Sequence, residues 1–163
     1  MTGSAWLLVV AYYGVVSVKD IRQRRIPTSL SVLGLFLGGL IGFWAHGWQS
    51  SLIGGVIAVL LLELVFLSGK GWAAWIARRR RLTAPPEVFG FGDVLLGGVS
   101  GLFLGWPLIM TGLGWAAIFA FLFGTARIGL ALLRGEAWRE LSLPLAPFLA
   151  AGTLVAAIYT VRV

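Results

Sequence analysis

Apolar residues fill six long blocks of this chain, with short polar segments between them. The blocks cover about 3–19, 28–47, 51–68, 88–106, 108–130 and 143–161. A bilayer core of about 30 Å is crossed by roughly 20 helical residues, so blocks of this length are typical of membrane spans. Strands or loops exposed to lipid would leave backbone groups unpaired. The pattern therefore predicts an all-α bundle of six transmembrane helices.

The composition supports a membrane protein. Of the 163 residues, 59% are hydrophobic and only 12% are charged, whereas soluble domains carry about a quarter charged residues. We expect a polytopic integral membrane protein whose single domain covers residues 1–163 and whose first partner is the lipid bilayer. The sequence carries no signal for an oligomeric state.

The basic residues are distributed unevenly between the predicted loops. Twelve of the thirteen lie at or after the ends of spans one, three and five: Lys19, Arg22, Arg24, Arg25, Lys70, Arg78, Arg79, Arg80, Arg81, Arg127, Arg134 and Arg139. Positively charged loops stay in the cytoplasm, so both termini are predicted to be extracytoplasmic. Because these charges form short clusters between apolar blocks, they favour membrane topology over a nucleic-acid partner.

Segment 71–82, GWAAWIARRRRL, combines two tryptophans with four arginines. It has two interpretations: an interfacial helix on an anionic leaflet, or a solvated cluster that only sets topology.

Small residues recur at four-residue spacing on two predicted helices. One ridge contains Gly34, Gly38 and Gly42, and the other contains Gly97, Gly101 and Gly105. Such ridges let helix backbones approach closely, so we expect helix contacts along both.

Acidic residues carry the candidate chemistry, since the chain has no cysteine and therefore no disulfide, thiolate zinc site or cysteine nucleophile. Glu87, Glu136 and Glu140 fall in the basic loops, where charge compensation explains them. Asp20, Glu63 and Asp93 lie in or beside apolar spans, where a carboxylate is costly.

Asp20 and Asp93 are predicted to lie at similar depth on the cytoplasmic side. Asp20 ends span one, and Pro27 suits the first turn of span two. Asp93 follows Gly90 and Gly92, which are able to adopt positive φ and to admit another group beside the backbone. Two adjacent carboxylates share one proton, and such a pair can activate water and protonate a leaving amide. The alternative is that each aspartate has a separate structural or ion-pairing role.

Three segments together resemble the type IV prepilin peptidases, which are membrane aspartic proteases with a GxGD signature. DIRQRRIPT (20–28) resembles the family's Asp-basic-Ile-Pro-Asn element, and GFGDVLLGG (90–98) resembles its GxGDxKL element. LPLAPFLAAG (143–152) resembles its PFGPFLA element. A lone GxGD would be weak evidence, but the three elements occur in order over nearly the whole chain.

The resemblance implies an activity. Asp20 and Asp93 would be the catalytic pair of an endopeptidase that cleaves the leader of prepilins or pseudopilins at the cytoplasmic face of the inner membrane. Gly90 and Gly92 would shape the turn at Asp93. Pro27, Pro144 and Pro147 would shape helix entries, and no metal or other cofactor is expected.

The chain departs from the family pattern at several positions. Leu95 or Leu96 replaces a lysine that often follows the second aspartate, Thr28 replaces asparagine, and Ala146 replaces glycine. Larger members carry a zinc-binding insert with four cysteines that is linked to N-methylation. The cysteine-free chain is therefore expected to be a peptidase-only short form.

Glu63 and His46 are the remaining candidate residues, and two other functions are compatible with carboxylates in the membrane. Glu63 is a candidate for tuning the pKa of the pair through like-charge proximity, against a structural role with satisfied hydrogen bonds. His46 is predicted to lie at the opposite interface without a role in the chemistry. The rival functions are a small proton or cation transporter that uses intramembrane carboxylates, and a catalytically silent assembly scaffold.

Overall fold

Six helices make up the fold in a computed structural model, which describes residues 3–23, 26–80, 90–134 and 144–161. The helices are α1 (Gly3–Gln23), α2 (Thr28–His46), α3 (Trp48–Arg80), α4 (Phe91–Leu104), α5 (Leu108–Leu133) and α6 (Ala146–Val161). The described residues contain no strand. The predicted all-α class and the number of helices are confirmed.

Helix α4 lies at the centre of the bundle. Nine of its fourteen residues are buried, and it packs most extensively against α3 and α2 and also against α6 and α5. Helix α1 packs against α6 and, less extensively, against α2. The central helix is therefore surrounded by protein along most of its length.

Helix α3 extends well beyond the predicted end of span three, whereas α4 is short. Helix α3 does not end near residue 68 but continues for 33 residues, about 50 Å of helix. Helix α4 has 14 residues, about 21 Å, because an extended Gly90 precedes it and Gly105, with a φ of 69°, ends it. A helix this short is stable here because its neighbours, rather than lipid, cover it.

Three helices have the length and hydropathy to cross a membrane by themselves: Thr28–His46, Trp48–Trp72 and Leu108–Leu133. Two shorter apolar helices, Phe91–Leu104 and Ala146–Tyr159, complete the apolar part of the bundle. Exposed large hydrophobic side chains occur on most helices. Such a surface suits lipid, and the chain is a helical membrane protein.

The segment with tryptophans and arginines continues α3 without a break as far as Arg80. The Trp72 and Trp75 rings lie 5.2 Å apart, and the Arg79 guanidinium lies 4.3 Å from the centre of the Trp75 ring. Both interpretations of this segment remain open, and Arg81 and Leu82 lie outside the described residues.

Both glycine ridges form close helix contacts, as predicted. A Cβ added at Gly38 would lie 2.9 Å from the Val99 carbonyl oxygen of α4. A Cβ added at Gly54 would lie 2.5 Å from the Gly101 carbonyl oxygen. Because neither position has room for a side chain, α2 and α3 approach α4 at backbone distance.

The two ends of the bundle differ. We call one the Asp20 end, where α1 finishes and α2, α4 and α6 begin, and the other the His46 end, which contains the turns after α2 and α4. At the His46 end, the Trp106 amide donates to the Ser50 carbonyl, and the Ser50 hydroxyl donates to the Trp106 carbonyl. These bonds join the first turn of α3 to the turn after α4. The two candidate aspartates lie at the opposite end.

Candidate active site

Asp20 is buried near the end of α1 and contacts the start of α6. It is 6% exposed, and its Oδ2 accepts a hydrogen bond of 3.0 Å from the Ala146 amide. Ala146 is the first residue of α6, where amides lack partners within the helix. The carboxylate therefore pairs with an otherwise unpaired donor at the positive end of a helix dipole.

The proline-containing segment explains why one amide is available. Pro147 has no amide hydrogen, and the amides of Phe148 and Leu149 both donate to the Leu145 carbonyl. Pro144 lies two residues before the helix begins. The first turn of α6 thus presents the Ala146 amide to Asp20.

Asp93 lies in the first turn of α4. Its amide donates to the Gly90 carbonyl over 3.0 Å, and its carboxylate interacts with the Gly90 backbone amide. This is half of a capping box: an acidic side chain reaches back to the residue before the helix, but Gly90 has no side chain to return the bond. The turn orients the carboxyl group, but Oδ1 is buried and has no hydrogen-bond partner among the described residues.

Gly92 brings the first two sequence motifs together. A Cβ at Gly92 would lie 3.1 Å from Cβ of Ile26, so the start of α4 packs directly on the segment that precedes α2. Pro27 is the residue before α2, and its carbonyl accepts from the Leu30 and Ser31 amides. Neither glycine uses a positive φ here: Gly90 is extended with a φ of −96°, and Gly92 is helical. Close approach is the reason for glycine at position 92.

The helix register places the two aspartates at the same depth. The Tyr13 hydroxyl of α1 and the Ser100 hydroxyl of α4 are hydrogen-bonded over 2.7 Å. Asp20 follows Tyr13 by seven residues, and Asp93 precedes Ser100 by seven residues. Because α1 and α4 run in opposite directions, each carboxylate lies about 10 Å from this bond toward the same end.

Seven residues are also close to two helical turns, so each aspartate lies on the same face of its helix as the hydrogen-bonded hydroxyl. The carboxyl groups of Asp20 and Asp93 are close enough to interact electrostatically. The structure therefore brings both residues to one end of the bundle and within electrostatic range of each other.

A comparison with protein families matches residues 6–161 to the model of the type IV leader peptidase family. The match covers nearly the whole chain. The chain belongs to the type IV leader peptidase family. The sequence matched no curated protein and no solved structure.

Membership of this family indicates a peptidase with helical membrane spans. The two aspartates are the acidic residues that the structure places together, and a pair of carboxyl groups can supply both a general base and a general acid. The described residues contain no group of three potential metal ligands among histidine, aspartate and glutamate.

The remaining candidate residues lie outside the aspartate pair. Glu63 is half-buried on α3, beside Leu62, whose side chain packs at Gly97. Leu96 is 1% exposed, so this position belongs to the packed core of the bundle. His46 is exposed at the last residue of α2, at the opposite end from the aspartates. The proposed tuning role of Glu63 stays a prediction.

Two features of this site were not predicted from the sequence. The Ala146 amide was not considered as a partner of Asp20, although a proline next to a helix start indicates which amides remain free. The contact between Tyr13 and Ser100 was also missed. A signal was present, since both are polar groups in apolar spans at equal spacing from the two aspartates.

Proposed function

We propose that this family member is a membrane aspartic endopeptidase that removes the leader peptide of type IV prepilins or pseudopilins at the cytoplasmic face, without N-methyltransferase activity. Asp20 and Asp93 are its catalytic residues. The observation that carries the proposal is their shared depth at one end of the bundle, which follows from the Tyr13–Ser100 bond and the equal spacing of the aspartates from it. The family match indicates a peptidase, so the bond that is cleaved is a peptide bond.

The pair works with one aspartate protonated and the other ionised, and a water molecule lies between them. The ionised carboxylate takes a proton from the water, whose oxygen attacks the scissile carbonyl carbon. The protonated carboxyl donates its proton to the carbonyl oxygen. The proton taken from water then passes to the amide nitrogen as the C–N bond breaks, and the first carboxyl regains its proton as the new carboxyl group forms. Either aspartate can hold the proton at rest because the two titrate as a pair.

The substrate reaches this site through its own hydrophobic helix. Basic loops on the enzyme repel a basic leader, so electrostatic attraction does not draw it in. A helical amide is shielded from attack, and the substrate helix must therefore open at the scissile bond. The short, glycine-containing entry to α4 offers space for this opening beside Asp93.

The absence of methyltransferase activity rests on the composition. The 163 residues contain no cysteine, so a thiolate zinc insert of the kind found in larger members is absent from them.

The test uses purified protein in lipid nanodiscs, a prepilin from the same genome and mass spectrometry of the products. Asp20→Asn and Asp93→Asn should each lower the cleavage rate by about a thousandfold or more, because each removes one half of the acid–base pair. With S-adenosylmethionine present, the new amino terminus should stay unmethylated.

The matched control is His46→Gln, which changes a titratable residue at the far end of the bundle and should retain normal cleavage. Normal leader removal by either aspartate variant would refute the pair. No cleavage by the unmodified protein would favour a silent scaffold, and ion flux into liposomes that depends on Asp93 would favour a transporter.

A further inference from the structure

A buried polar cluster joins α1, α4 and α6 in the apolar middle of the bundle. Its members are Tyr13, Ser100 and Thr153, which are 2%, 1% and 2% exposed. The Tyr13 hydroxyl bonds to the Ser100 hydroxyl and also interacts with the Thr153 hydroxyl. Three hydroxyl groups from three helices therefore meet at one point inside the bundle.

The serine and threonine hydroxyls of the cluster also reach backbone carbonyls of their own helices. Ser100 donates to the Leu96 carbonyl and Thr153 donates to the Leu149 carbonyl, each within its own helix. Either hydroxyl of the Tyr13–Ser100 pair can be the donor, and the bond joins α1 to α4 in both cases. The tyrosine hydroxyl is the polar link from α1 to this part of the core.

We propose that Tyr13, with Ser100 and Thr153, is a positioning group that fixes the axial position of α1 so that Asp20 and Asp93 stand at the same depth. This inference rests on the proposed function of the two aspartates. Tyr13 acts through the helix that carries Asp20 and does not touch the substrate.

The need for such a group follows from how α1 is packed. Helices α2 and α3 meet α4 through glycines at backbone distance, whereas α1 packs on α6 and α2 and reaches α4 with long side chains. The apolar contacts of α1, such as Val9 and Val16, have no directional bonds. A slip of one helical turn would move Asp20 by about 5.4 Å, which is enough to separate the pair.

The alternative is a purely structural role, in which the hydroxyls bond to each other only because buried polar groups need partners. That alternative predicts a loss of stability without a change in the turnover of the folded enzyme. A positioning role predicts a loss in kcat with KM unchanged, because the substrate helix still binds while the reacting groups are displaced.

The adjacent tyrosine provides a matched control. The Tyr12 hydroxyl donates to the Leu30 carbonyl over 3.2 Å and packs against Gly34, so it joins α1 to α2 and not to α4. Tyr12→Phe removes one hydroxyl, as Tyr13→Phe does, from the neighbouring position of the same helix.

The experiment measures kcat, KM and thermal stability for purified variants in nanodiscs, with rates expressed per folded enzyme. Tyr13→Phe and Ser100→Ala should each lower kcat by about five- to tenfold, the size expected for one buried hydrogen bond, with KM unchanged. The double variant should be no slower than either single variant because both remove the same bond. Tyr12→Phe should retain kcat.

Thr153→Val gives a second route if Tyr13→Phe does not fold. Valine keeps the shape of threonine and removes the hydroxyl, so kcat should fall, whereas Thr153→Ser should retain it. The positioning role would be overturned by a normal kcat in Tyr13→Phe, provided that Asp20→Asn and Asp93→Asn are inactive. If Tyr13→Phe does not fold, a normal kcat in Thr153→Val has the same meaning. Normal cleavage by the asparagine variants would instead overturn the proposed function itself.

Discussion

The two sides of α4 are held in different ways. On the side of α2 and α3, glycines such as Gly38 and Gly54 bring backbones into direct contact, and no side chain fits between them. On the side of α1, the helices are bridged by the Tyr13 hydroxyl. The first interface is formed by direct backbone contacts, and the second is formed by side chains.

The difference suggests a division of roles within one small bundle. Close glycine packing supplies stability without polar groups, which suits helices in lipid. The α1 interface has the polar groups, including Asp20 and Asp93, and one buried carboxylate oxygen without a partner among the described residues. Substitutions at the glycine contacts of α2 and α3 with α4 should mainly lower the stability of the protein. Substitutions beside the carboxylates should mainly lower kcat.

Gly54→Ala should have the largest effect on stability. Its Cβ would lie 2.5 Å from the Gly101 carbonyl oxygen and 2.7 Å from the Gly105 carbonyl carbon, and neither is a side chain that can move away. We expect the free energy of unfolding to fall by about 3 kcal/mol, at the upper end for overpacking. Denaturation of the purified protein in mixed micelles measures this change.

Gly14→Ala is the matched control on the other side of the bundle. No atom lies within 4 Å of a Cβ at Gly14, on the open face of α1, so the same methyl group should be neutral or slightly stabilising. Equal destabilisation by Gly14→Ala and Gly54→Ala would remove the contrast between the two interfaces.

Gly92→Ala should have a smaller effect, and mainly on activity. The added Cβ would lie 3.1 Å from Cβ of Ile26, so the turn that orients Asp93 must shift by a few tenths of an ångström. A displacement of 1 Å can cost about a hundredfold in rate, so we expect kcat to fall by several-fold while the protein still folds.

Gly90→Ala should lower kcat less than Gly92→Ala. Its Cβ would make an ordinary contact of 3.6 Å with Asp93 Oδ2, and its φ of −96° is accessible to alanine. A leader-cleavage assay on both variants measures the order, and the reverse order would show that the Ile26 contact does not hold the turn.

Much of this arrangement follows from local sequence pattern. The apolar blocks predict six helices, and the four-residue spacing of Gly97, Gly101 and Gly105 predicts a close helix contact. The alternation of spans places Asp20 and Asp93 at one end. Each of these inferences needs only hydrophobicity, spacing and chain direction.

The features that the pattern did not predict depend on which helix faces which. Span three was predicted to end near residue 68, but the alanine and arginine residues that follow are good helix formers, and the helix continues. The bond from Tyr13 to Ser100 joins residues 87 positions apart. Hydrophobic periodicity shows which face of a helix is buried, but it does not show which helix packs against that face.

The central claim is that Asp20 and Asp93 face each other across the space between α1 and α4. Because the chain has no cysteine, Asp20→Cys combined with Asp93→Cys gives one defined pair of thiols. Dibromobimane, a short bifunctional thiol reagent, becomes fluorescent when it joins two thiols. The control pair is Val18→Cys with Asp93→Cys, since Val18 lies two residues before Asp20 and is 51% exposed on α1. We predict rapid fluorescence and an intramolecular crosslink for the first pair and neither for the control. No crosslink between positions 20 and 93, or an equal yield from the control, would contradict the account.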